Sequence, residues 1–293
     1  MQNSTVAILR NPTSGSGAGR IQILRLVHHL RQQNLRPRLF SKRERLRTWM
    51  DSNPQSRDLR AIVAAGGDGT VAEILNRYPD APLAILPLGT ENLLARYLKI
   101  PRCGAFVSRM ITAGQLQHVD VGEINGRRFA LMASLGFDAA VVHQTDGMRR
   151  GTISKLSYLL PILHLLRNYT YPEFRVYIDD DEVPVVARQA MLVNIPRYAL
   201  GIKFARSAAV DDALLDLRLF QHRTPFQMMC DFYKVLAGTH EQGRNITCRT
   251  ARSIRIEADS PVPVQVDGDP AGTTPVEVMI HAQACRVLVP PTA

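Results

Sequence analysis

From Val6 to Ile100 the chain alternates short apolar runs with longer stretches of helical period. VAILRNP reads as a buried strand, and GSGAGRIQILRLVHHLRQQNL as a glycine turn feeding a helix. RPRLFSK is a second strand. AIVAAGG is a third, followed by the helical TVAEILNRY, and PLAILPLG is a fourth before the helical ENLLARYLKI. Short apolar strands separated by helical patterns predict a parallel sheet with helices on both faces, an α/β arrangement.

After about Gly114 the texture changes. HVDVGEINGRRFALMASLGF places Asn125-Gly126 between two β-rich runs, a strong hairpin signal. FRVYIDDDEVPVVARQAMLVNI repeats the plan around an acidic turn; LLDLRLFQ, SIRIEA, VPVQVDG and RVLVP are further strands. Together they predict a mainly antiparallel β-sandwich, interrupted by two stretches of helical period, GTISKLSYLLPILHLLRNY and TPFQMMCDFYKVLAGTH. The expected division is an α/β domain over residues 1–118 and a β-rich domain over 119–293, whose last residues are free to pack back on the first.

Composition narrows the setting. The 293 residues are 45% hydrophobic and 21% charged, an ordinary globular balance, and the net charge of +10 points to an anionic partner. Nucleic acid is disfavoured, because the arginines are scattered and no base-reading motif accompanies them. The four cysteines, Cys103, Cys230, Cys248 and Cys285, form no CxxC pair, so a reducing cytoplasm is expected. STVAILRNP reads as a strand rather than a secretory signal. LSYLLPILHLL, from Leu156 to Leu166, is too short for the ~20 residues that span a bilayer. The histidines lack companions at metal-ligand spacing: His28-His29 read as surface groups, and His240 has no assigned role.

Three glycine-bearing turns carry the candidate chemistry. In AIVAAGGDGTVAEILN, Gly66, Gly67 and Gly69 let the backbone approach a ligand, and Thr70 stands where a helix would begin with unpaired N–H groups. Such a nest suits phosphate, and Asp68 within it points to a nucleotide accompanied by a cation. Read alone, the same stretch also fits a plain strand-to-helix turn capped by Asp68. NPTSGSGAGR (Asn11 to Arg20) and PLGTENLLARYL (Pro87 to Leu98) repeat the device, and the first matches neither GxxxxGK[ST] nor GxGxxG. Turns after strands of one parallel sheet lie where open α/β sheets bind ligands.

NPTSGSGAG, GGDGTVAEILN and PLGTENLLARYL, in that order and spacing, resemble the diacylglycerol-kinase catalytic domain, and most closely its bacterial lipid-kinase branch, related to sphingosine and ceramide kinases. SAAVDDALLDLRLF and VQVDGDPAG extend the resemblance over nearly the whole chain. It implies a two-domain, NAD-kinase-like fold and ATP-dependent transfer of phosphate to a lipid hydroxyl such as that of diacylglycerol. It further implies that Asn11, Ser41, Gly66, Gly67, Asp68, Gly69, Thr70 and Thr90 contact ATP, and that Asp212, with the carbonyls of Ala209 and Leu214, holds Mg²⁺.

Asp267 and Asp269 are the candidates for base and support in that transfer, since a carboxylate must orient the hydroxyl and take its proton. Without the resemblance, Asp-Gly is simply a turn dipeptide. The chain departs from the family in two places. Asp269 stands where a glutamate is usual, and Ala213 follows Asp212 where glycine is usual. A lipid acceptor implies peripheral contact with an anionic membrane, on the inner face if the protein is cytoplasmic. KRERLR (Lys42 to Arg47), MRRGTISK (Met148 to Lys155) and LSYLLPILHLLRNY are the segments considered for it. The alternatives are an NAD-kinase-like enzyme, for which the dinucleotide-ribose element is not evident, and a catalytically weak nucleotide- or membrane-binding homologue. A homodimer is left open.

Overall fold

The computed structural model describes residues 4–11, 17–146, 165–197, 202–243 and 245–291. Residues 12–16 of the first glycine loop, and 147–164, which include MRRGTISK and most of LSYLLPILHLLRNY, lie outside them. The chain forms two compact units, Met1–Val119 with Gln283–Ala293, and Asp120–Ala282.

In the first unit, β1 (Thr5–Arg10), β2 (Arg36–Phe40), β3 (Leu59–Gly66) and β4 (Leu83–Pro87) form a parallel sheet in the order β2-β1-β3-β4. Val6–Leu9, Ala61–Ala65 and Leu83–Leu86 are buried, as expected for strands covered on both faces. The edge strand β2 instead exposes Arg36, Arg38 and Leu39, and its arginines blunt an edge that could otherwise pair with another chain. Helices α1 (Gly17–Gln32), α2 (Arg43–Ser52) and α3 (Asp68–Arg77) follow the first three strands. The arginines of KRERLR on α2 form a solvated face over buried Leu46 and Trp49, and Arg43 pairs with Glu73 at 3.0 Å.

The stretch ENLLARYLKI yields only the short α4 (Leu93–Tyr97), because Asn92 and Lys99 both adopt positive φ. A helix not anticipated from sequence, α5 (Gly104–Ala113), packs on α1: the Gly104 amide donates to Gln22 at 3.0 Å and the Ser108 hydroxyl to Gln33 at 2.9 Å. It opens without a side-chain cap and closes on Gly114 at φ 72°.

In the second unit, β5 (Leu116–Ile124), whose first residues belong to the first unit, turns through Asn125-Gly126 into β6 (Arg127–Phe129). Both turn residues have positive φ, 48° and 80°, the type I′ geometry that Asn-Gly favours. Strands β7 (Met132–Leu135), β10 (Gln189–Val193), β11 (Leu215–Phe220), β12 (Ile246–Ala251), β14 (Pro263–Val266) and β15 (Asp269–Thr273) form an antiparallel sheet in the order β12-β11-β10-β7-β14-β15. The opposing layer pairs β8 (Phe174–Ile178) with β9 (Val185–Ala187) and β13 (Ser253–Ala258), and β13 with the start of β16 (Val276–Leu288). Phe174, Val176, Ile254, Ile256, Val276 and Val278 meet Leu135, Leu192, Leu217 and Val264 in one continuous core. Full burial of a side chain of this kind contributes ~1.5–3 kcal/mol, which makes this face-to-face core the main support of the sandwich.

Helix α6 (Phe137–Asp146) follows β7, and α7 (Pro225–Ala237) follows β11. Thr224 caps α7 by accepting the Gln227 amide, and Gly238 ends it at φ 69°. The four cysteines are free thiols. His240 is buried, stacks on Phe204 and bonds its carbonyl at 2.7 Å, a packing role.

Candidate functional site

The parallel order of β1 to β4 brings the loops at Asn11, Ser41, Gly66–Thr70 and Gly89–Asn92 to one edge of the first sheet. Two of these loops touch directly. The amides of Leu88 and Gly89 both donate to the Gly66 carbonyl, at 2.8 and 3.2 Å. A Cβ on Gly89 would lie 2.5 Å from the Gly67 Cα, closer than real contacts allow. These glycines are therefore required by the approach of one loop to the other. Gly69 differs, since a Cβ there would meet nothing within 4 Å.

Asp68 supplies the second tie. It opens α3, and its Oδ2 accepts the Leu93 amide at the start of α4, at 3.1 Å. Burial pushes its carboxyl above the usual carboxylate range, opposed by the amides of Leu93, Leu94 and Asn92 and reinforced by Glu91. Asn92, just before α4, closes the neighbouring turn: its side chain accepts from the Gly89 amide at 2.9 Å and donates to the Gly89 carbonyl at 2.8 Å. Thr70 is buried behind Gly66, and the Asn11 amide donates to Ala65 at 3.3 Å. Thr90 and Ser41 are exposed, Ser41 at the end of β2 with β1 between it and β3.

In the second unit, Asp267 and Gly268 join β14 to β15 with φ of 49° and 86°, another type I′ turn. The Asp267 carboxylate turns back on the chain. Oδ2 accepts the Ala130 amide at 3.1 Å, and Oδ1 accepts the amides of Leu131 and Met132 at 3.1 and 2.9 Å. Three of its roughly four acceptor positions are thus engaged by backbone. Asp269 stands differently. Its side chain is 48% exposed, and its Oδ2 accepts from Arg127 at 3.0 Å. Arg127 also donates to the Pro270 carbonyl at 2.8 Å, so one guanidinium steadies both residues.

A polar network that the sequence reading missed holds this turn from behind. Buried Gln265 accepts the Gly268 amide at 2.8 Å and donates to Ser134 at 2.8 Å and to Asp138 at 3.2 Å; Ser134 donates to Asp138 at 2.5 Å. The signal lay in the polar residues Ser134 of β7 and Gln265 of β14, which alternate with core-facing Ala133, Leu135, Val264 and Val266 and are buried on the opposite face, towards Asp138 of α6.

Ala209, Asp212 and Leu214 share the loop that leads into β11. Asp212 accepts the Leu214 amide at 3.0 Å, and its carboxyl is pushed up by desolvation, with Asp216 and Asp120 adding negative charge. Ala213 takes φ 59°, the left-handed region, and its amide donates to fully buried Asp120 at 2.6 Å. No group of three or more His, Cys, Asp or Glu side chains is gathered for a metal among the described residues. The fit to a cation thus rests on one carboxylate with excess negative charge around it and on backbone carbonyls.

Residues 5–124 match the diacylglycerol kinase catalytic domain, and residues 132–289 match the YegS C-terminal NAD kinase beta sandwich-like domain. An uncharacterized protein of Synechocystis is 26% identical over 236 residues, which cover 78% of this chain and 54% of that protein; the chain therefore spans about half of that relative's length. A diacylglycerol kinase of Staphylococcus carnosus is 22% identical over 296 residues, covering 97% of this chain and 94% of that enzyme. A crystal structure of a diacylglycerol kinase from Bacillus anthracis shares the fold, with TM-score 0.73 and 23% identity over 99% of this chain and 98% of that one. Among the described residues, no helix is long and apolar enough to cross a membrane. The chain belongs to the bacterial diacylglycerol-kinase family, which joins a diacylglycerol kinase catalytic domain to a YegS-type β-sandwich.

Proposed function

We propose that this chain transfers the γ-phosphate of ATP to the free hydroxyl of a diacylglycerol-type lipid, with Asp269 taking the hydroxyl proton. The observation that carries the assignment is the contrast within one turn. Asp267 is engaged by three backbone amides, whereas Asp269 is half-exposed and held by Arg127. A general base must lie within hydrogen-bond reach of the proton it accepts, which favours the more exposed carboxylate. Asp267 is then a positioning residue that fixes the turn, and Asp269 is the catalytic one. The bond between the lipid oxygen and the γ-phosphorus forms as the bond to the β–γ bridging oxygen breaks. The proton passes to Asp269, and ADP leaves.

In the first unit, Gly66, Gly67, Asp68, Gly69 and Thr70, with Asn11, Ser41 and Thr90, are the groups for the nucleotide. The contact between the two glycine loops supports the reading, because it presets their shape before ATP arrives. The open space beside Gly69 leaves room for a phosphate to approach the backbone. Mg²⁺ would be held by Asp212 with the carbonyls of Ala209 and Leu214, and when bound it supplies positive charge to that acidic loop.

The test offers labelled ATP and Mg²⁺ with diacylglycerol, monoacylglycerol, sphingosine, ceramide and phosphatidylglycerol, and separately with NAD. Label in phosphatidic acid is the expected result. Label in NADP alone would replace the proposal with an NAD-kinase activity, and ATP binding with no transfer to any acceptor would leave a nucleotide-binding homologue.

A further inference from the structure

Helix α7 presents an apolar face that nothing in the described chain covers. Phe226, Met229, Phe232, Tyr233 and Leu236 are 78%, 50%, 51%, 71% and 55% exposed. At 3.6 residues per turn they fall on one arc of about 120°. The neighbouring arc, Met228, Asp231 and Val235, is buried. Among the described residues, every exposed phenylalanine or tyrosine lies on this helix. The clustering is therefore local and not the ordinary scatter of surface hydrophobics.

The helix carries no exposed carboxylate, and Glu241 beyond its C-terminal end is bonded to Arg218 at 2.6 Å. The only carboxylate of α7, Asp231, points inward, where it bonds His222 at 3.3 Å and Lys234 at 3.1 Å. Arg223 is exposed just before the helix, and the exposed Arg206 donates to the carbonyl of its terminal glycine, Gly238, at 3.1 Å. An aromatic and aliphatic stripe without acids, flanked by arginines at both ends, has the chemistry of a helix that lies in the headgroup region of an anionic bilayer. Phenylalanine and leucine enter the acyl boundary, tyrosine stays at headgroup depth, and the arginines meet lipid phosphates.

We infer that α7 is the surface by which this protein docks on an anionic phospholipid bilayer, through Phe226, Met229, Phe232, Tyr233 and Leu236 with Arg223 and Arg206 at its ends. The inference rests on the lipid-kinase reading, since an acceptor embedded in a bilayer requires an enzyme that sits at its surface. It adds an element that the nucleotide loops and the Asp267–Asp269 turn do not include.

The full chain is floated with vesicles of phosphatidylcholine alone and of phosphatidylcholine with phosphatidylglycerol. The expected result is binding to the anionic vesicles that weakens with salt and falls about tenfold or more in the double variant Phe226→Ser, Tyr233→Ser. Both sites are exposed, so the variant should melt as the parent does. Phe226→Trp provides an independent readout: its emission should shift to the blue, and be quenched by brominated lipid, only when vesicles are present. The native Trp49 is buried and supplies the background.

Unchanged vesicle binding by the serine double variant would overturn the inference. So would emission from the Phe226→Trp variant that is already blue-shifted without vesicles, or a dimer that the serine variant dissolves while vesicle binding persists; a second copy would then be the occupant. Activity on dispersed short-chain diacylglycerol separates the two readings. The serine variant should keep it, whereas its absence from the parent, with α7-dependent vesicle binding intact, would remove the acceptor assignment and leave the docking surface.

Discussion

The turn at Gly66–Thr70 and the turn at Asp267–Asp269 share an Asp-Gly dipeptide and are built on opposite principles. In the first, Asp68 ties one glycine loop to the next through the Leu93 amide, and the loops meet by backbone contact at Gly67 and Gly89. Its neighbour Gly69 faces open space. In the second, Asp267 is folded back on three amides of residues 130–132, and Gly268 at φ 86° is bonded to a buried glutamine. Close packing of bare backbone shapes a cradle and leaves it open. Backbone amides fix one carboxylate, Asp267, while the next, Asp269, stands half-exposed beside Arg127. The same acid-glycine pair is thus a brace between loops in one unit and a hairpin anchor in the other.

The sharpest way to break this contrast is to remove the anchor. Asp267→Ala orphans three amides of buried residues and should lower stability by about 3 kcal/mol, read by urea unfolding. A loss below about 0.5 kcal/mol would show that the carboxylate is not what holds the turn. The first turn is probed by glycine substitutions. Gly89→Ala forces a Cβ against Gly67 and should cost about 2 kcal/mol, with ATP affinity falling as well. Gly69→Ala should leave the melting temperature within error, so that any loss is confined to ATP binding.

How much of this was legible follows from where each signal sits. Three of the four parallel strands, β1, β3 and β4, were readable because their apolar runs end in glycine turns, and the sandwich strands because short β-rich runs alternate with polar turns. Helix α5 escaped notice because it opens without a capping side chain, and β12, ITCRTA, because its outward arginine and threonine mask an edge strand. The site residues were legible as motifs, but their partners were not. The group that Asp68 grips is 25 residues away, and the amides that hold Asp267 are 135 to 137 residues upstream, separations at which local pattern carries no information. For the same reason Asp267 and Asp269 were indistinguishable as letters; orientation separates them.

One departure noted in the sequence has a measurable consequence. Ala213 occupies φ 59°, where an L side chain is disfavoured by roughly 1–2 kcal/mol. Ala213→Gly should therefore raise stability by up to about 1 kcal/mol, since glycine recovers part of the gain as freedom in the unfolded chain. A loss of stability would mean that the loop is shaped by contacts of the Ala213 methyl instead.

The central claim is that Asp269 takes the proton while Asp267 only positions the turn. The direct measurement is lipid phosphorylation by Asp269→Asn, with ATP affinity and the melting temperature recorded on the same samples. The predicted result is a fall in kcat of about 10²–10⁴-fold with ATP affinity and stability unchanged. Turnover within a few-fold of the parent enzyme would contradict the assignment.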